Sequence, residues 1–110
     1  MGWFDSLTPI WHVSIYENRI VLLEPKTGIS GERVAEHRFS DGDRLITNDQ
    51  ILEHELGQLI RQLFKQKWFG RYPEMHVVAL ARPVTGEERE ALRTALANAG
   101  ASKVVLPGDE

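Results

Sequence analysis

Apolar and polar residues alternate through the first part of the chain and predict a β-hairpin. The alternation covers residues 10–23 and is interrupted by the polar triplet Glu17-Asn18-Arg19. A repeat of two is typical of a strand with one buried face. The pattern therefore predicts strands over residues 10–16 and 19–24, and the turn-forming residues 25–28 end the second strand.

A third strand and a long helix are predicted next. Residues 32–39 have strand character and end at a run of turn formers, residues 40–43. Asn48 is a suitable N-cap, and the apolar residues after it recur at helical spacing, which predicts a helix over residues 49–68. Gly57 inside this helix costs about 1 kcal/mol relative to Ala, and close packing on the sheet would offset that cost. The apolar face consists of Ile51, Leu52, Leu56, Leu59, Ile60, Leu63 and Phe64.

The second half of the chain predicts a strand, a helix and a final strand. Residues 75–81 are nearly all apolar, which is typical of a strand covered on both faces at the centre of a sheet. Thr85 and Glu88 have the spacing of a capping box, so a helix begins there, and Gly100 fits its end. Residues 102–106 then form a short strand.

These elements define an α/β fold in a single domain that spans residues 1–110. Their order is β-β-β-α-β-α-β, which describes an antiparallel meander followed by right-handed crossovers that add parallel strands. We expect a mixed five-stranded sheet covered by helices. A chain of 110 residues leaves no room for a second domain.

Composition narrows the class of function. The net charge is -3 and no basic block is present, which disfavours nucleic acid as a partner. The absence of cysteine excludes disulfides, thiol catalysis and thiolate metal sites, and it fits a reducing compartment. No apolar run is long enough to cross a bilayer. We expect a cytoplasmic protein, with contact to the inner face of the membrane left open.

Candidate chemistry is sparse. The four histidines do not have metal-ligand spacing in the sequence, so no metal site is expected. Asp41 and Asp43 resemble part of a calcium loop, but the other ligands of such a loop are missing. Acidic residues at the start of the second helix are explained by capping. No nucleophile elbow and no glycine-rich phosphate loop is present, so catalysis and cofactors are not expected. The histidines are His12, His37, His54 and His76.

Three segments resemble the MreB-like family of rod-shape-determining, actin-like bacterial proteins. The most specific is residues 83–106, which read PVTGEEREALR and end in AGASKVVL. Residues 20–25 (IVLLEP) and residues 41–46, which lead into the long helix, are similar to further family segments in the same order. The resemblance implies a ribonuclease H-like half-domain that corresponds to the first subdomain of this family.

The chain departs from the family where nucleotide is bound. At the first phosphate loop it has only residues 5–9 (DSLTP), without a glycine that would bring backbone donors close to a phosphate. Asp109 aligns with the catalytic glutamate of the family. The second phosphate loop and the adenosine pocket belong to the other half of the family fold. ATP hydrolysis would therefore need a partner chain.

Two clusters are candidate interaction surfaces. The first combines cations and aromatics at the end of the long helix, a composition enriched in protein interfaces and compatible with membrane headgroups, although such residues also solvate and cap a helix end. It consists of Arg61, Lys65, Lys67, Trp68, Phe69, Arg71 and Tyr72. The second is the apolar set Trp3, Phe4 and Leu7, which would contact a membrane or a partner, or pack against the core of the chain itself.

Together these features predict a non-catalytic domain that acts by protein binding in a cell-shape or filament-related role. The expected partner is a full-length actin-like filament protein or a second copy of the chain. Two alternatives stay open: a split ATPase subunit in which Asp109 and a partner lobe complete the site, and a membrane-associated adaptor that uses Trp3, Phe4 and the basic-aromatic end of the long helix.

Overall fold

The computed structural model describes residues 9–67 and 73–109. For residues 64–67 it describes the backbone but not the side chains. Within these residues the chain forms five strands and two helices. They are β1 (Ile10–Tyr16), β2 (Arg19–Leu23), β3 (Ser30–Val34), α1 (Asp49–Lys67), β4 (Glu74–Leu80), α2 (Gly86–Asn98) and β5 (Lys103–Val105).

The strands form one mixed sheet in the order β3-β2-β1-β4-β5. β2 runs antiparallel to both β1 and β3, whereas β4 is parallel to β1 and β5 is parallel to β4. The predicted mixed five-stranded sheet with two helices is therefore confirmed. The first strand of the chain lies at the centre of the sheet, between the hairpin and the parallel strands.

Both helices pack on the same face of the sheet. The inward side chains of β1, β2 and β4 share one apolar core with buried residues of α1 and α2. At the sheet edge, Arg33 of β3 contacts Glu55 of α1, with 2.6 Å between Nε and Oε1. The core is formed by Trp11, Val13, Ile15, Ile20, Leu22, Phe39, Leu45, Ile46, Leu52, Leu56, Leu59, Ile60, Leu63, Met75, Val77, Leu92, Ala95, Leu96 and Leu106.

This arrangement corrects the expectation that β4 is covered on both faces. Val77 is buried on the helix side, but its neighbour Val78 is 53% exposed on the opposite side. The apolar run 75–81 indicated a central strand, and β4 does lie between β1 and β5. Because both helices lie on one face, the other face of this strand has no covering element within the described residues.

The third strand is shorter than the sequence pattern predicted. It ends at Val34, and residues 36–39 are not part of it. Side chains satisfy the backbone there: the N–H groups of Glu36 and His37 donate to the Glu55 carboxylate, and the Phe39 N–H donates to Oδ1 of Asn18 at 2.8 Å. Strand pairing is therefore unnecessary in this stretch.

The start of α2 has the predicted capping box. The Glu88 N–H donates to the Thr85 hydroxyl at 3.1 Å, and the Thr85 N–H donates to Oε2 of Glu88 at 3.0 Å. The second carboxylate oxygen of Glu88 accepts the Ile46 N–H at 3.1 Å, so the same side chain also fixes the segment before α1. At the other end of the helix, Gly100 has φ of 120°, a conformation that favours glycine.

Candidate functional site

The structure places one residue of the predicted basic-aromatic surface. Arg61 is exposed on α1. Lys65 and Lys67 are part of α1, but the structure does not describe their side chains. The other four residues of this surface lie outside the described residues: Trp68, Phe69, Arg71 and Tyr72. The second predicted set, Trp3, Phe4 and Leu7, also lies outside the described residues.

A different surface emerges on the side of the sheet opposite the helices, which we call the outer face. The large hydrophobic side chains that are exposed in the described residues are Ile10, Leu23, Val34 and Val78. All four project from this face, since they alternate with the inward core positions of their strands. Val34 is 70% exposed and Val78 is 53% exposed. The four side chains share a face, and the register places Ile10 and Leu23 towards one end of it and Val34 beside Arg19 at the other.

Strand register orders the centre of the outer face into rows. His12 pairs with Leu23 on β2 and with His76 on β4, and His76 pairs with Val105 on β5. Leu23 in turn pairs with Ser30 on β3, so the row runs from a polar residue on β3 to Val105 on β5, with two neighbouring histidines in the middle. Nε2 of His76 lies 3.1 Å from Oε1 of Glu74, two residues earlier on the same strand. The row is therefore compatible with contact to an apolar partner.

Charges on the outer face are paired beside the hairpin turn. Arg19 lies over the ring of Tyr16, with its guanidinium carbon 4.3 Å from the ring centroid. The same guanidinium contacts Oε2 of Glu32 at 2.5 Å. Because the cation and the anion neutralise each other, this end of the face has little net charge to repel an apolar partner.

Asp109, which aligns with a catalytic position in the resemblance, is engaged within the chain. Its carboxylate accepts from Arg89 Nη2 at 2.8 Å and from Arg93 Nη1 at 3.1 Å, and it also accepts the Leu106 N–H at 2.8 Å. The hydrogen bond from Arg93, followed by the Leu106 N–H and the nearby Arg89 charge, lowers the pKa of Asp109 to about 2. These contacts tie the segment after β5 to α2.

A shallow polar groove of about 300 Å³ lies where α1 approaches α2. Asn98 of α2 donates to Oε1 of Glu53 across it at 3.2 Å. It is lined by Gln50, Glu53, His54, Gly57, Gln58, Ile60, Arg61, Asn98 and Ala99. The His54 ring lies 6.2 Å from that of His37, a proximity with no signal in the sequence. In the part of the chain that the structure describes, no three His, Cys, Asp or Glu residues are grouped as metal ligands.

Gly57 lines this groove and has no close contact with the sheet. A Cβ added at Gly57 would meet no atom within 4 Å. The close packing expected at this position is therefore wrong. The close approach occurs at Gly31 of β3, where an added Cβ would lie 2.7 Å from Cδ2 of Leu63 on α1. The exposed valines of the outer face and this second glycine were both missed from the sequence.

Among residues 9–67 and 73–109, no helix combines the length and apolar character that a membrane crossing needs. Comparison of the chain with protein-family models, with curated proteins and with solved structures gave no significant match.

Proposed function

We propose that the chain is a non-catalytic domain that acts by binding a protein partner on the outer face of its sheet. Its fold is ribonuclease H-like and resembles the first subdomain of the MreB-like actin family. The proposed setting is the cytoplasm, in a cell-shape or filament-related role. The partner is an actin-like filament protein.

Two features support the fold part of this proposal. The order of elements is the one that the resemblance implies. Within the sheet, β2 alone runs opposite to the other four strands, so an antiparallel meander is joined to parallel crossover strands. Fold by itself does not define function, and the argument for binding rests on the outer face.

The observation that carries the proposal is the uncovered outer face. All-parallel sheets occur almost only with both faces covered, and antiparallel sheets commonly leave one face to solvent, so a mixed sheet with one uncovered face is compatible with a partner on that face. Here β1, β4 and β5 are parallel, yet the described elements cover one face only. Val78 of β4 is 53% exposed on the uncovered face, and Leu23 of the neighbouring β2 is 37% exposed there. Burying such side chains contributes about 25 cal/mol per Å² of apolar area, which favours a partner that completes the sheet.

The contacts of Asp109 weigh against the alternative of a split ATPase. A general base must have a free lone pair and a pKa near the working pH. Arg93, Arg89 and the Leu106 N–H occupy the Asp109 carboxylate, and its pKa is lowered to about 2. Catalysis there would require both arginines to move. The membrane-adaptor alternative depends on Trp3, Phe4 and the basic-aromatic helix end, and of their side chains the structure describes only that of Arg61.

Co-sedimentation with polymerised actin-like filament protein tests the proposal. We expect the chain to pellet with the filaments and Val78→Lys to pellet at least tenfold less, because a charge would then be buried in the interface. Thr94→Lys is the matched control, since Thr94 is exposed on α2. Equal pelleting of the two variants would overturn the outer face as the binding surface. No pelleting of the parent chain would overturn this partner.

A further inference from the structure

We infer that the free edge of β3 is a second binding site, which receives an extended segment of a partner protein as an additional antiparallel strand. The occupant has an apolar residue opposite Val34 and a cation opposite Glu32. The hydrogen-bonding groups of this edge lie in the plane of the sheet, whereas the outer face lies above that plane. The inference therefore goes beyond the proposed function and does not depend on it.

The pairing of β3 with β2 shows which backbone groups face the edge. At one end of the pair the Glu24 N–H donates to the Ile29 carbonyl at 2.8 Å. At the other end the Ala35 N–H donates to the Asn18 carbonyl at 2.9 Å. Hydrogen-bonded pairs alternate along an antiparallel ladder, so residues 29, 31, 33 and 35 bond to β2. The N–H and C=O groups of residues 30, 32 and 34 therefore point away from β2.

These edge groups have no partner within residues 9–67 and 73–109. β3 is the outermost strand of the sheet, and β2 is its one neighbour there. No hydrogen bond from a loop or a helix of the described chain reaches the backbone of residues 30, 32 or 34. A row of such groups is a template for the backbone of an added strand.

The two edges of the sheet differ in their protection against such pairing. Native proteins protect an edge by a very short strand, by lysine or proline, or by a bulge. At the opposite edge, β5 has three residues, includes Lys103 and is followed by Pro107. β3 has five residues without lysine or proline, its register with β2 is continuous, and Val34 at its end is exposed. The protective features are thus found at β5 and not at β3.

Contacts with α1 hold β3 in place before a partner arrives. Gly31 lies so close to α1 that an added Cβ would be 2.7 Å from Cδ2 of Leu63. The charge of Arg33 is neutralised by the buried carboxylate of Glu55, and the Arg33 side chain is 19% exposed. This cation therefore does not oppose a strand at the edge. Because β3 is already ordered, the main entropy cost of pairing is that of the incoming segment.

The side chains of β3 on the outer face define the chemistry of the occupant. They are Ser30, Glu32 and Val34. Arg19 contacts Oε2 of Glu32, and within the described residues the other carboxylate oxygen has no partner. A cation opposite Glu32 and an apolar side chain opposite Val34 are favourable cross-strand pairs. In an antiparallel partner these two positions are two residues apart, with the apolar residue first.

A second copy of the chain fits this edge less well. Glu32 is the middle residue of β3 (Ser30–Val34). Two copies of β3 paired antiparallel over their whole length would therefore place Glu32 directly opposite the same residue of the other copy. Like charges in directly opposite positions destabilise strand pairing. The charge at Glu32 thus favours a partner strand of different sequence.

Amide hydrogen exchange of the full chain with a synthetic peptide tests the inference. The probe is Thr-Val-Thr-Lys-Thr-Thr-Thr with blocked ends, whose Val and Lys take the positions opposite Val34 and Glu32. With saturating peptide we expect exchange at the amides of Glu32 and Val34 to slow by about tenfold or more, because the new strand engages their N–H groups. The Arg33 amide, which already bonds to β2, should change little. Unchanged exchange at Glu32 and Val34 with millimolar peptide would overturn the inference.

Two methylated peptides distinguish strand pairing from contact by side chains alone. N-methylation of the Val and Lys removes two N–H groups that face β3, so this peptide should no longer slow exchange. N-methylation of the Thr residues that follow the Val and the Lys leaves the facing N–H groups intact, so this second peptide should still slow exchange. Equal effects of the two peptides would contradict strand addition.

Charge reversal tests the chemistry assigned to the occupant. Glu32→Lys should weaken binding of the probe by about tenfold, and a probe with Glu in place of Lys should bind this variant more tightly than it binds the parent chain. Glu90→Lys, at an exposed position of α2, is the matched control and should bind the original probe as the parent does. Equal losses in the two variants, or no rescue by the Glu peptide, would refute the assigned cation.

Further outcomes separate this site from the outer face and from self-association. Val78→Lys alters the outer face, so it should retain the peptide effect at Glu32 and Val34 even where it no longer pellets with filaments. Peptide protection in a parent chain that never pellets would support the edge site and refute the filament partner. Protection of the same two amides that rises with chain concentration in the absence of peptide would mean that a second copy takes the edge, which would overturn the assigned occupant.

Discussion

Asn18 shows how one side chain in a hairpin turn organises a distant loop. Its backbone has φ of 51°, which asparagine tolerates better than most residues. Its Oδ1 accepts the N–H groups of Phe39 and Ser40, each at 2.8 Å. Its own N–H donates to the Ser40 hydroxyl at 3.1 Å, and its carbonyl accepts the Ala35 N–H at 2.9 Å. The turn therefore gives the segment after β3 the hydrogen bonds that a longer β3 would have made by strand pairing.

Substitutions of Asn18 should separate the contribution of its side-chain hydrogen bonds from the contribution of its positive φ. Asn18→Ala removes the acceptor and strains the turn, so we expect the free energy of unfolding to fall by about 3 kcal/mol. Asn18→Gly removes the acceptor but tolerates the positive φ, so its loss should be smaller by about 1 kcal/mol. Urea denaturation followed by tryptophan fluorescence measures both values. A glycine variant as stable as the parent would show that the side-chain hydrogen bonds contribute nothing.

Residue-scale prediction from the sequence succeeded where the signal is local. Thr85 and Glu88 were recognised from their spacing, and the turn at Glu17-Asn18-Arg19 was recognised from its polarity. The bonds from Asn18 to Phe39 and Ser40 could not be inferred, since they depend on how the chain returns to the hairpin. The exposed valines of the outer face were missed for a similar reason, because an apolar strand residue does not reveal which face a helix covers.

At the scale of elements, α2 is attached to the rest of the fold through the Glu88 carboxylate. This side chain is buried and accepts from Thr85 and from Ile46. We expect Glu88→Ala to lower the free energy of unfolding by about 2–3 kcal/mol, because it removes a cap and leaves the Ile46 N–H unsatisfied.

Glu87→Ala is the matched control for the capping interaction. Glu87 contacts Arg44 on the surface, and such exposed ion pairs contribute about 0–1 kcal/mol. Chemical denaturation of the two variants should therefore give clearly different midpoints. Similar losses in both would mean that charge near the helix start, rather than the buried hydrogen bonds of Glu88, stabilises α2.

Gly57 inside α1 and Gly31 facing α1 should respond to alanine substitution in opposite directions. Gly57→Ala should raise the free energy of unfolding by about 0.5–1 kcal/mol, since an added Cβ meets nothing within 4 Å and glycine is unfavourable inside a helix. Gly31→Ala should lower it by about 1–2 kcal/mol, because the new Cβ would lie 2.7 Å from Leu63 and force it to move. Thermal melts of the two variants measure both signs, and a stabilised Gly31→Ala would contradict the close approach of β3 to α1.

Hydrophobic periodicity predicted the bounds of the elements better than the contacts between them. The long helix and the hairpin strands lie where their repeats placed them, to within one or two residues. The third strand was predicted too far along the chain, because the Glu55 carboxylate takes the N–H groups of Glu36 and His37. A contact between a helix and a loop of this kind leaves no repeat in the sequence.

At the scale of the whole molecule, carboxylates with lowered pKa values make the fold sensitive to acid. Burial alone would raise the pKa of Glu24, Glu55 and Glu88, but hydrogen bonds from Thr27, Arg33 and Thr85 respectively outweigh it, and the net pKa of each is lowered. Arg93 and its neighbours lower the pKa of Asp109 to about 2. These carboxylates bind protons more weakly in the folded chain than in the unfolded chain.

Stability should therefore be fully present above the ordinary carboxyl pKa values of 3.8 and 4.5, and it should be lost as the pH falls towards 2. Asp109→Asn should lower the melting temperature at pH 7, and its difference from the parent should shrink as the pH approaches 2. Asp43→Asn, at an exposed loop position, is the control. Melting temperatures across this range provide the test, and a constant difference between parent and Asp109→Asn would contradict the role of the Arg89 and Arg93 contacts.

The central position of β1 has a consequence for synthesis on the ribosome. Ile10 pairs with Glu74 and Ile15 with Leu80, so β1 is translated well before its parallel partner β4. Until then a nascent chain has the β1–β2–β3 hairpins and α1, but the inward side of β1 has only part of its core. We expect chains arrested before Glu74 to be bound by chaperones through Val13 and Ile15, and release to follow soon after β4 leaves the exit tunnel.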